Sequence, residues 1–195
     1  MADLSEKLQY LVDRQEILDC IYRYTRALDR HDDALLASVF HDDALDNHGR
    51  WVGGREDFVQ WANHECHEQL HAHMHHITTH TCEIDGATAH TESYVLFVHR
   101  YKDGTTVHVA GGRYIDRLEK RDDAWRIAVR RLVLDYRYLA DGSVFGDWDG
   151  YPKGTQGRDD ISYRRPLELP AELLATVRAS GSSGRAPATA PGAAG

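Results

Sequence analysis

The chain has 195 residues, 42% of them hydrophobic, with 23 Lys and Arg against 31 Asp and Glu, a formal charge of −8 and 13 histidines. That length suits one well-packed domain, and no apolar run approaches the roughly 18 to 20 residues that a membrane span needs. The acidic balance and the lack of a basic stripe argue against nucleic acid as a partner, because neutralising phosphates requires clustered Lys and Arg.

The opening stretch, MADLSEKLQYLVDRQE, is charged and amphipathic and has no signal-peptide core. Cys20, Cys66 and Cys82 lie far apart, match no zinc spacing and are odd in number. Reduced thiols in a cytoplasmic protein are therefore expected. From Leu11 to Arg30 the pattern is helical, with Ile17, Ile21, Tyr24 and Leu28 on one stripe and Leu18, Tyr22, Thr25 and Asp29 on its neighbour. Asp32 and Asp33 are suited to cap a short helix through Ala34–Phe40. A third helix is expected after Gly53-Gly54, from Glu56 to about Leu70, with Phe58 and Trp61 inward.

The period then changes from 3.6 to 2. HITTHTCEI, residues 76–84, alternates and stops at the hairpin signal Asp85-Gly86. Further strands fit Thr88–Tyr101, Thr106–Glu119 and Trp125–Tyr136, separated by Lys102-Asp103-Gly104 and Arg121-Asp122-Asp123. Three helices followed by an antiparallel meander make an α+β pattern. A cone-shaped curved sheet wrapped around the N-terminal helices would enclose an apolar pocket. Residues 1–138 form this domain. Residues 139–178 read as an extension lying over the domain or a neighbouring subunit, with Trp148, Tyr151 and Tyr163 as packing points. The Ala, Gly, Ser and Pro tail, 179–195, is expected to be disordered.

The segment HAHMHHITTH, residues 71–80, raises a choice between metal binding and proton chemistry. His76 and His80 have the spacing of a helical zinc pair but lack the Glu of H-E-x-x-H. In a strand, four residues span roughly 13 Å, too far to share an ion. His71, His73 and His75 offer a common face only if extended. No metal and no cofactor are expected. His64, His67, His71 and His73 read as solvated or packed, and His75 and His80 stay open. His76 shares the parity of Thr78, His80 and Cys82, which would face the cavity. An imidazole doing proton chemistry needs a group that fixes its tautomer, usually a carboxylate. Asp29, on the inward stripe of the first helix, is the candidate, and an exposed Asp at a fraying helix end is the alternative.

ALDRHDDALLASVFHDDAL, the HITTH corner leading into a strand, and GGRY-I-D followed by WRI together resemble the SnoaL-like branch of the nuclear transport factor 2-like superfamily. The resemblance covers roughly residues 8 to 137. The branch contains scytalone dehydratase, bile-acid 7α-dehydratase and hexachlorocyclohexane dehydrochlorinase, enzymes that use no cofactor and work by general acid/base chemistry in an apolar pocket. It implies that Asp29 orients a catalytic His76, with His80 where an Asn is common. It also implies substrate contacts from Tyr24, His48 and Arg130, with Arg131 as a competitor for the last role.

The resulting expectation is a cofactor-independent lyase or dehydratase. His76, held by Asp29, removes a proton from a hydrophobic, hydroxylated aromatic, steroid or polyketide-like molecule, and Tyr22, Tyr24, Tyr94, Phe97 and Tyr114 are offered to its pocket. Retro-aldol cleavage releasing formaldehyde from an aromatic diol, or isomerisation, begins with the same proton removal. A non-catalytic binding module and a β-subunit-like scaffold of a ring-hydroxylating dioxygenase are the other classes. A hydrophobic small molecule is the expected partner, with neither nucleic acid nor membrane, and the resemblance suggests a homodimer or homotrimer through the outer sheet face.

Overall fold

The structure, a computed structural model, describes residues 3–144 and 151–174. The chain divides after Asp160 into two compact units. Helix α1 (Leu4–Arg30) begins with a capping box: the Asp3 carboxylate accepts from the Glu6 N–H, and the Glu6 carboxylate accepts from the Asp3 N–H. It buries Ile17, Cys20, Ile21, Tyr24, Ala27 and Leu28, the apolar stripe expected. It ends at His31, whose left-handed backbone (φ 50°, ψ 43°) turns its N–H back to the Ala27 and Leu28 carbonyls. Asp32 caps α2 (Asp33–Ser38) by accepting from the Leu35 N–H.

The expected helix through Phe40 stops at Ser38, and Phe40 opens strand β1 (Phe40–His48), which hairpins into β2 (Trp51–Gly54). Helix α3 (Arg55–Gln60) continues as a π-helical segment, Trp61–Cys66, ending short of the expected Leu70. Strands β3 (Leu70–Asp85), β4 (Thr88–Tyr101), β5 (Thr106–Arg121) and β6 (Ala124–Asp141) form the meander. The sheet order is β2-β1-β6-β5-β4-β3, with β1 parallel to β6 and every other pair antiparallel. This is a curved, unclosed α+β sheet with N-terminal helices against it, as expected. The two-stranded addition at its β1–β2 edge was not anticipated. Between Gly111 and Gly112 the β5–β6 register shifts, and a Cβ on Gly112 would run into the Val133 carbonyl. Only glycine lets the strands approach there.

Strand β3 carries a second irregularity. Ile77 faces Val95 but His80 faces Ser93, so Thr78 and Thr79 of β3 are matched to the single residue Tyr94 of β4. This bulge flips the alternation. His73 and His75 lie on the buried parity before it, and His80, Cys82 and Ile84 on the buried parity after it, while His71, Met74 and His76 are exposed.

Part of the expected extension belongs to the first unit. Arg30 donates to the Thr155 carbonyl and to Asp160 (both 3.0 Å), and the Gly157 N–H donates to the Arg30 carbonyl at 2.6 Å. In the second unit, a single 3₁₀ turn at Ile161–Tyr163 is followed by helical residues 171–174. Trp148 and the expected disordered tail, 179–195, lie outside the described residues.

Candidate active site

The last turn of α1 and the first half of β3 bring Asp29 to His75, not to His76. Asp29 Oδ1 accepts from His75 Nδ1 at 2.7 Å, and its Oδ2 accepts from the His75 backbone N–H at 3.1 Å. Both side chains are largely buried, at 5% and 14% exposure. With Nδ1–H held by the carboxylate, Nε2 is the nitrogen left with a lone pair. The expectation for His76 is therefore corrected: its side chain points to the exposed face. The cause is the bulge at residues 78–79, since parity counted back from Cys82 lands one residue late.

His75 lines a cavity of about 300 Å³ together with Leu28, His48, Phe58, Trp61 and Tyr114. His48, at the end of β1, forms a second histidine–carboxylate pair, with its Nδ1 2.7 Å from Asp46 Oδ1. Asp46 is 2% exposed and comes from the hairpin that periodicity alone does not mark. Tyr114 is also almost fully buried, and burial, the largest influence, pushes its phenol well above the usual range, so it remains a neutral hydroxyl.

The other expected contacts sit elsewhere. Arg130 is fully buried and forms a bidentate pair with Asp116, at 2.7 and 2.6 Å. Its guanidinium is stacked between the rings of Tyr24 and Tyr114, 3.8 and 4.2 Å from their centres. Neither Arg130 nor Tyr24 lines the cavity. Tyr24 belongs to an aromatic core with Phe40 and Phe58. Both are corrected from substrate contacts to the packing that backs the cavity wall. Arg131 is exposed. Of the offered aromatic residues, Phe97 and Tyr114 reach the cavity, whereas Tyr22 and Tyr94 are exposed.

The cavity's other end is built of histidines. Register places His73 opposite His99 and His99 opposite His108, a row across three strands. His67, which caps the π-helical segment, packs its ring 4.3 Å from that of His73 and 5.6 Å from that of His99. Burial, followed by the neighbouring imidazoles, pushes His73 and His99 down to about 3 and His67 lower still. At neutral pH these rings are uncharged, with free lone pairs. Among the described residues, three groups bring ligand atoms within 4.8 Å of one another: His31, His67 and His73; His67, His75 and His99; and Asp29, His73 and His75. His76 and His80 share no such group, as their strand spacing requires. Of the four histidines read as solvated or packed, His64 and His71 are exposed and His67 and His73 are buried. His80 is half-buried, with its Nδ1 2.9 Å from the Ser93 hydroxyl. Sequence reading missed His99 and His108. For His99 the signal is inward parity, shared with Val95 and Phe97 along β4.

A curved, unclosed α+β sheet whose first helix holds a strand histidine beside a cavity is the arrangement of the nuclear transport factor 2-like fold. The chain belongs to the SnoaL-like domain family, whose profile matches residues 9–131. It is similar in structure to a scytalone dehydratase-like protein of Novosphingobium aromaticivorans (TM-score 0.61, 20% identity, 71% of this chain and 97% of that one). It is also similar to a hexachlorocyclohexane dehydrochlorinase of Novosphingobium barchaimii (TM-score 0.64, 21% identity, 75% and 99%). A Mycobacterium tuberculosis protein of unknown function is 28% identical over 65% of this chain and 74% of that one, with TM-score 0.58. No curated protein sequence matches the chain.

Proposed function

We propose that the protein is a lyase that removes a proton from a hydrophobic, hydroxylated small molecule, with His75 as general base and Asp29 as the group that positions it. The observation that carries this reading is the two-point grip of Asp29 on His75, a residue that lines the cavity and keeps its Nε2 lone pair. In the dehydratase form of the reaction, Nε2 takes a proton from carbon and that electron pair forms a C=C bond. The neighbouring C–O bond breaks, and the departing oxygen leaves as water after gaining a proton from a cavity donor. Tyr114, neutral at pH 7 and on the cavity wall, is that donor. The apolar share of the wall (Leu28, Phe58, Trp61, Leu70, Phe97, Leu132) suits a ring-bearing substrate. Family membership and the dehydratase and dehydrochlorinase neighbours favour elimination, because both names denote loss of a group beside an abstracted proton.

The test is a mass-spectrometric screen of hydroxylated aromatic compounds for loss of water, with loss of formaldehyde as the mark of retro-aldol cleavage. With a converted substrate in hand, His75→Ala is expected to lower kcat by roughly 10²–10⁴-fold, while His76→Ala stays within about twofold of wild type. Equal activity in His75→Ala would remove the base assignment.

A further inference from the structure

We propose that His31, His67 and His73 bind one divalent transition-metal ion of the zinc kind, which clamps the end of α1 to β3. This site leaves His75 Nε2 and Asp29 to proton transfer, so it stands or falls separately from the lyase reading. Its first support is geometric. An ion held about 2.1 Å from three ring nitrogens sets the ring centres about 4.5–5.5 Å apart. The His31–His73 centres, 5.1 Å apart, fall in that range, and His67–His73 at 4.3 Å and His31–His67 at 5.8 Å reach it with shifts of a few tenths of an ångström. The competing trio, His67, His75 and His99, is wider at 5.6 to 6.0 Å.

The second support is hydrogen-bond supply. His31 Nε2 and His73 Nε2 lie 3.1 Å apart, a distance bridged either by one shared proton or by one ion. His67 Nδ1 is buried with no hydrogen-bond partner among the described residues, and His67 is only 5% exposed. A buried polar atom left without a partner marks an absent one. A cation would satisfy that lone pair.

Third, the frame is rigid. His31 is fixed in its left-handed cap, and His67 is tied by its N–H to the Ala62 carbonyl at 3.2 Å. His73 sits in the sheet opposite His99. Imidazole ligands without thiolate or a carboxylate cage select zinc, cobalt, nickel or copper over magnesium and calcium.

The experiment uses the tag-free full chain, stripped with chelator and then titrated with Zn²⁺ and Co²⁺. One ion per chain is expected by elemental mass spectrometry, with a zinc-dependent rise in Tm. His31→Gln and His73→Gln should weaken binding by about a hundredfold or more, since each removes one of three ligands. His99→Gln and His75→Gln should bind within about threefold of wild type. No uptake by the wild type at micromolar zinc overturns the site, as does binding lost in His99→Gln but kept in His31→Gln. Ring ¹H–¹⁵N spectra of the wild type decide the matter even if a variant fails to fold. Zinc-induced shifts at His31, His67 and His73 support the site, and shifts confined to His75 and His99 overturn it.

Discussion

Two of the buried charge-bearing pairs, Arg130–Asp116 and His75–Asp29, have opposite fates. Arg130 and Asp116 are both 0% exposed, joined by two short bonds and covered by aromatic rings, with no path to the cavity. His75 and Asp29 are joined as closely, but His75 lines the cavity and keeps its Nε2 lone pair. Burial and charge alone therefore do not mark a reactive group. An atom with an unfilled valence and space in front of it does.

The sharpest way to break this contrast is to disarm Asp29. Asp29→Asn keeps the shape but loses the charge and the tautomer preference, and is expected to lower kcat about 10²-fold or more. The Arg130 pair predicts the reverse signature. Arg130→Met leaves the Asp116 carboxylate buried and unpaired, costing about 3–5 kcal/mol of stability by urea unfolding. The double variant Arg130→Met/Asp116→Leu should recover most of that loss. A large rate defect in well-folded Arg130→Met would return that residue to the site.

The smallest expected effect concerns acid stability of the chelator-treated protein. His99 is held down to about 3 from its ordinary 6.5. Between those values the unfolded chain binds the proton that the folded chain refuses. Stability is then complete above about pH 6.5 and falls as pH drops toward 3. His99→Gln removes this proton uptake, so its Tm should decline less steeply from pH 7 to pH 4. An unchanged slope would show that the ring is solvated when folded.

Much of the architecture was legible in the sequence because it is local. The apolar stripe of α1, the change to alternation in the later strands and the hairpin signals at Asp85-Gly86 and Lys102-Asp103-Gly104 each act within a few residues. Asp29 and His48 were legible from spacing together with family resemblance. FHDDALDNH was not, because charged residues on its outer face hide the strand that carries Asp46.

The sequence by itself determined the helices-then-meander order, the acidic partner at the end of α1 and the richness in histidine. Only the tertiary structure decided which histidine Asp29 holds, because one extra residue at Thr78-Thr79 reverses the face of everything before it. The gathering of His31, His67, His73 and His99 likewise depends on register between strands and on two helix ends, contacts that span tens of residues and leave no local periodic trace.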